Sequence, residues 1–206
     1  MTRSPLAPHT ARNCQPILEV LRTELRAHKT VLEIGSGTGQ HATTVVSELD
    51  DLLWQTSDRQ QNHPAIRQWL QEAAVPRVLN PIALDVLSDA HPAQKYDAVF
   101  SANTAHIMSL VAVEKMFDLV ASVLRKNGIF CLYGPFRQDG RFSSESNSNF
   151  HRSLRAKDKE MGIRHLEDLD TFSARRGLRR EASYAMPANN LMVVWRCIEG
   201  ASNGNS

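Results

Sequence analysis

Three glycines at every second position, Gly35, Gly37 and Gly39, follow directly on the short apolar run from Thr30 to Ile34. After them comes His41-Ala-Thr-Thr-Val-Val-Ser-Glu-Leu49, which has the apolar spacing of a helix packed on a sheet. A strand, a turn of bare backbone and a helix admit few folds. Glycine is needed where the chain takes a left-handed conformation or where a ligand approaches the main chain without a Cβ in the way. The same alternation continues. Leu52 to Asp58, Pro81 to Val86, Tyr96 to Asn103 and Ile129 to Tyr133 read as strands, and Ala65 to Ala73 and Val113 to Leu124 as helices. Strands alternating with helices imply a parallel sheet covered on both faces, with ligands at the carboxyl ends of the strands. Residues 180–187 and 189–197 read as two further strands that close the sheet. The expected fold is therefore α/β, a Rossmann-like doubly wound sheet of seven strands, mostly parallel with an antiparallel C-terminal strand.

At 206 residues the chain suits a single domain, expected over 1–199, and 42% hydrophobic with 22% charged residues is a globular composition. Residues 1–15 read as an extended arm, with Pro16 in the first turn of a helix carrying Ile17, Leu18, Leu21 and Leu25. The polar stretch 136–149 reads as a lid loop, helices are expected near 149–159 and 167–176, and the tail 200–206 reads as disordered. A net charge of +2 argues against nucleic acid as the partner, and the absence of a long apolar run against a membrane one. Between Arg141 and Arg180, however, ten Arg and Lys face six Asp and Glu, either a solvated helical face or a patch for an anionic substrate. Cys14, Cys131 and Cys197 are scattered and odd in number, so neither disulfides nor a metal site is expected, and the reading is cytoplasmic.

The glycine spacing discriminates among ligands. In a dinucleotide fingerprint the third glycine comes three residues after the second, whereas Gly39 comes two after Gly37, and no Gly-Lys-Ser/Thr of a phosphate loop is present. Glu33, two residues before Gly35, is unhelpful to a diphosphate and well suited to a cation. This Glu-x-Gly-x-Gly-x-Gly pattern resembles the first motif of class I S-adenosylmethionine-dependent methyltransferases, whose cofactor carries a sulfonium and an ammonium. Asp58, at the end of the second strand, is placed for ribose hydroxyls. The resemblance implies that Asp85 meets the adenine amino group while a neighbouring apolar residue, Val86 or Leu87, packs on the ring.

From Arg12 to Trp195 the chain further resembles the DUF938 (UPF0585) family of methyltransferase-like proteins. Ser36-Gly-Thr-Gly-Gln-His41, Leu132-Tyr-Gly-Pro-Phe136 and Met186-Pro-Ala-Asn-Asn-Leu191 carry that likeness. Gly35 departs from it, standing where Ala is expected in many relatives, a change expected to loosen the turn. Cofactor-binding candidates are thus Glu33, Gly35, Ser36, Gly37, Gly39, Asp58, Asp85, Val86 and Asn103, with Arg12 and Asn13 from the arm.

Methyl transfer from a sulfonium needs mainly alignment and exclusion of water, with a base only for a weakly acidic acceptor. His106, just past the fourth strand, is the first candidate base, expected to titrate near neutrality, and Tyr133 at the end of the fifth strand is the second. Asn147, Asn189, Asn190 and His41 are candidates for contacting a small polar acceptor. The leading expectation is methylation of a small molecule. The alternative is a protein that binds S-adenosylmethionine or S-adenosylhomocysteine without methylating.

Overall fold

In the computed structural model, which describes residues 8–198 and side chains from Asn13 onward, the expected alternation is present. A helix α1 (Pro8–Glu24) leads to β1 (Thr30–Ile34), α2 (Gln40–Glu48), β2 (Leu53–Asp58), α3 (His63–Ala73), β3 (Val78–Ala83) and β4 (Tyr96–Ala102). Then follow α4 (Leu110–Val123), β5 (Leu124–Gly134), β6 (Phe136–Gln138), β7 (Arg141–Phe142) and α5 (Glu145–Lys157). Last come β8 (Arg164–His165), α6 (Leu166–Ala174), β9 (Leu178–Met186) and β10 (Asn190–Cys197). The main sheet has seven strands in the order β3-β2-β1-β4-β5-β10-β9, in which only β10 runs antiparallel to its neighbours.

Side chains alternate between the faces of the strands, so each inner strand feeds two cores. Leu32, Val99, Phe130, Leu132 and Trp195 join the cluster under α4 and α6. Val31, Ala98, Phe100, Cys131 and Tyr133 join the one under α1 and α2. Both layers meet at β1 and β4, whose carboxyl ends flank the glycine turn. Edge strand β3 tolerates Pro81, since an outer strand can spare a ladder donor.

Four expectations are corrected. Residues 8–15 of the arm are helical, and Pro16 lies inside α1 rather than in its first turn. A mid-helix proline costs roughly 3 kcal/mol, which the full burial of Ile17 and Leu21 on the sheet offsets. The stretch 136–149 is not a loop. It is a hairpin, β6 with β7, turned at Asp139 and Gly140, both at positive φ, and it runs into α5 capped by the Ser144 hydroxyl. Together with β8 the hairpin forms a second sheet of three strands. Lys126-Asn127-Gly128, which reads in the sequence as the stop of the helix Val113 to Leu124, instead lies within β5, where the pairing with β4 shifts register, because α4 already ends at Val123. Finally, β3 stops at Ala83, two residues short of Asp85. Residues 1–7 of the arm, the side chain of Arg12 and the tail 200–206 lie outside the described residues.

Candidate functional site

Gly35, Gly37 and Gly39 all have positive φ, at 72°, 60° and 82°. The turn hangs from the second strand, since the N–H groups of Gly35 and Ser36 both donate to the Ser57 carbonyl (3.1 and 2.9 Å). Contrary to the expected looser turn, Gly35 is sterically required. A Cβ there would meet Thr104 Cγ2 at 2.7 Å, because the loop after β4 packs directly on the turn. Gly37 is different: a Cβ there meets nothing within 4 Å. A side chain at position 37 would enter open space above the turn. We expect Gly37→Val to fold, with some backbone strain, and to lose cofactor binding, as judged by calorimetry beside a melting curve. Unchanged affinity would show that this space is not the ligand's.

Asp58 locks the turn. One carboxylate oxygen accepts from the Gly37 N–H (2.8 Å), the other from the Arg59 N–H (2.8 Å) and the Asn62 amide (2.7 Å). A carboxylate has about four acceptor positions, so Asp58 has capacity for a hydroxyl at the ribose position. Asp85 is partly occupied in the same manner, accepting from the Leu87 N–H at 3.0 Å within its own turn. Val86, half-buried, packs against the core beside it.

Glu33 is 1% exposed, on the face of β1 shared with Trp54 of β2, whose indole N–H donates to its carboxylate at 3.1 Å. Burial pushes its pKa up to about 7, against the lowering effect of the bonds from Ser36 and Trp54. A buried carboxylate this close to neutrality is a poor structural anchor and a good partner for a cation. Next along the chain, Gln40 opens α2 only 1% exposed, and neither its amide nitrogen nor its amide oxygen has a hydrogen-bond partner. Such an orphaned group costs about 1–3 kcal/mol unless something completes it. Sequence reasoning passed over Gln40, although it is the first residue after the glycines, and over Trp54 and Asn62, whose partners become neighbours only through strand register.

Asn103, half-buried at the tip of β4, holds a left-handed φ of 59° and donates its N–H to the Tyr133 carbonyl (2.9 Å). That conformation, tolerated by Asn, places it beside the glycine turn. His106 follows with 7% exposure, its backbone carbonyl accepting from the Gly162 N–H (2.9 Å) and its ring edge-on to Phe150 at 5.3 Å. Burial, reinforced by Arg164, lowers its pKa to about 4, which corrects the expected titration near neutrality. The imidazole is neutral at physiological pH and a weak base, its nitrogens without a hydrogen-bond partner among the described residues. Tyr133 is buried, its pKa raised by burial, and its oxygen accepts from the Asn190 amide (2.9 Å), so its hydroxyl remains protonated.

The two Asn segments do meet. The Asn147 amide donates to the Asn189 carbonyl (3.1 Å) and to Ser143 Oγ (2.7 Å), which ties α5 to the turn between β9 and β10. Asn189 is exposed at φ 57°. His41 is buried against Phe100, its Nδ1 3.5 Å from Cys14 Sγ, and burial lowers its pKa to about 4. Asn13 is half-buried in α1. Two surface concavities, of about 600 and 500 Å³, lie elsewhere, one at the opposite ends of the strands around Arg22 and Lys29, the other around Arg67 and Pro76. Neither contains any of these residues, and ligands of doubly wound sheets sit at the carboxyl ends, so the glycine turn is the stronger site. Among the described residues no cluster of side chains is arranged to hold a metal, and no helix is long and apolar enough to cross a membrane.

Residues 4–197 match the model of the family described as "Protein of unknown function (DUF938)". The chain belongs to the DUF938 family. Among solved structures it is similar to an O-methyltransferase family protein from Burkholderia thailandensis, at 15% identity and a TM-score of 0.79 over 90% of this chain and 56% of that one. The mitomycin 7-O-methyltransferase MmcR gives 16% identity and 0.77 over 89% and 53%. The O-methyltransferase NcsB1 of neocarzinostatin biosynthesis, solved with S-adenosylmethionine and 2-hydroxy-5-methyl naphthoic acid, gives 15% and 0.74 over 92% and 54%. This DUF938 chain spans little more than half of each of those structures, and at such identities the likeness shows the methyltransferase fold.

Proposed function

We propose that this protein transfers a methyl group from S-adenosylmethionine to a small polar acceptor. The observation that carries the reading is Glu33, a buried carboxylate with a pKa near neutrality beneath a glycine turn that leaves space for a ligand. That environment fits a cationic cofactor. Glu33 and Asn103 would hold its amino acid part, Asp58 the ribose, and Asp85 with Val86 the adenine. The backbone of Gly35, Ser36, Gly37 and Gly39 would line the approach, with Asn13 of α1 and Gln40 of α2 beside it. When bound, the cofactor supplies a methyl group on a sulfonium, ready for in-line displacement. The chain's own part is alignment of the acceptor and exclusion of water. His106 receives the acceptor's proton on an imidazole nitrogen where the acceptor is a hydroxyl. Tyr133, fixed by Asn190, donates its hydroxyl proton as a hydrogen bond, and Asn147, Asn189 and His41 shape the acceptor side. That NcsB1 was solved with a naphthoic acid supports a small-molecule acceptor.

Calorimetry with S-adenosylhomocysteine tests the foundation. Binding is expected in the native protein, and Asp58→Ala should weaken it by about 1–3 kcal/mol, because the ribose loses a charged acceptor. No heat with the native protein would remove the reading. Binding without methyl transfer to hydroxyl, amine, thiol or acid acceptors would instead support a binding module.

A further inference from the structure

The arginines of the second half of the chain divide into two groups. Arg175, Arg176, Arg179 and Arg180 each lie within 4.0 Å of a carboxylate: Glu114, Glu114 with Asp118, Glu181 and Asp170 respectively. Arg137, Arg141, Arg152, Arg155 and Arg164 have no such carboxylate partner among the described residues, and of these Arg152 bonds Asn149. Arg164 is consumed structurally, donating to the backbone carbonyls of Ala105 (3.0 Å), Glu160 (2.6 Å) and Met108. Arg137 is not. Its guanidinium lies over the Phe142 ring at 4.4 Å, makes one hydrogen bond, to the Gly140 carbonyl (2.9 Å), and keeps a buried Nε without a partner. Four of its five donors therefore go unused by the protein. Arg155, on α5, is exposed and forms no ion pair.

These cations converge. Parallel pairing sets Arg137 opposite His165 and Phe136 opposite Arg164. His151 stands 5.2 Å from the Phe142 ring and accepts the Ile163 N–H at Nδ1 (3.1 Å), leaving Nε2–H as a donor. Burial lowers the His151 pKa, and the field of Arg137, Arg155, Arg164 and His165 adds to it. Glu167 stands 3.9 Å from His165, and Glu160 and Asp168 offset part of the Arg164 charge, but Arg137 and Arg155 have no carboxylate within 4.0 Å among the described residues, so an anion beside these two lowers the free energy of the folded chain. The cluster also adjoins the proposed base, since Arg164 and Gly162 hold the backbone of Ala105 and His106, and Phe150 of α5 packs on the His106 ring.

We propose that Arg137 and Arg155, with the His151 Nε2–H beside them, bind an anionic group on the methyl acceptor, which makes that acceptor a small acid carrying a carboxylate or a phosphate. The assignment rests on the methyl-transfer reading for the word acceptor. The anion site itself can be measured without it.

Protein saturated with S-adenosylhomocysteine would be titrated by calorimetry with benzoate, with inorganic phosphate, and with neutral benzamide as control. At least one anion is expected to bind and benzamide not to. Arg155→Gln, on an exposed helix position that leaves the fold intact, should weaken the anion at least tenfold, and Arg137→Gln should do the same. Arg179→Gln, which lies in the paired group, should change nothing. Preference for benzoate identifies a carboxylate and preference for phosphate a phosphorylated acceptor. Absence of both anions, or affinity untouched by Arg155→Gln, overturns the proposal while S-adenosylhomocysteine still binds. Loss of S-adenosylhomocysteine binding in the native protein sinks the methyl-transfer reading instead, and the anion titration of the free protein then stands alone.

Discussion

Glu33→Gln should make the free protein more stable and the cofactor complex weaker. The sign follows from the raised pKa. A group held at about 7 when folded, against an ordinary 4.5, contributes its full stability below 4.5, and that contribution is lost as pH rises toward 7. Above that the native chain holds an uncompensated buried charge. Glutamine removes the charge and keeps an oxygen for the Trp54 indole, so the melting temperature of Glu33→Gln should exceed that of the native protein at pH 8, with the difference closing toward pH 4.5. The price is affinity. A cation that used the ionised Glu33 loses about 1.5–3 kcal/mol, roughly a ten- to hundredfold rise in Kd for S-adenosylmethionine. Native affinity should climb with pH through about 7, and the variant's should be flat. A variant with lower stability at pH 8 and undiminished affinity would make Glu33 an ordinary structural carboxylate.

His106→Ala should lower kcat by about 10² to 10⁴ toward a hydroxyl acceptor while leaving Kd for S-adenosylhomocysteine unchanged. The scaffold survives the change because the bond from Gly162 is made by the backbone carbonyl of residue 106, not by the ring. With its pKa near 4, the imidazole is neutral from pH 5 upward. The native rate should therefore show no inflection from this group between pH 6 and 8 and should fall only on strong acidification. A clear inflection near pH 6.5 would place His106 in a wetter setting than the one described. An unchanged kcat per folded molecule would leave it a packing partner of Phe150.

How much of this was legible beforehand depended on distance along the chain. The glycine turn, the strand alternation and the acids at strand ends are written in contiguous residues, so Gly37, Asp58 and the order of elements could be read directly. Trp54 bonding to Glu33 and Gly37 bonding to Asp58 needed the register of β1 against β2, which no local pattern encodes. The acidity of His106 was misjudged because Arg164 and Phe150 come from elements far downstream. The lid was misread for a local reason. Asp139-Gly140 is a hairpin signal, overlooked because strands of two and three residues carry too few side chains to show alternation. The helical start at Pro8 escaped because α1 has no acidic residue in its first turn and carries a proline within.

The position of β10 bears on how the molecule is made. It lies between β5 and β9, and it supplies Val193 and Trp195 to one core and Met192 and Val194 to the other. Until residues 190–197 are available, the apolar stretch 129–134 of β5 therefore has an unpaired edge. Neither core can finish packing earlier. Assembly of this sheet is consequently a late, long-range event, with an adhesive edge exposed until β10 docks.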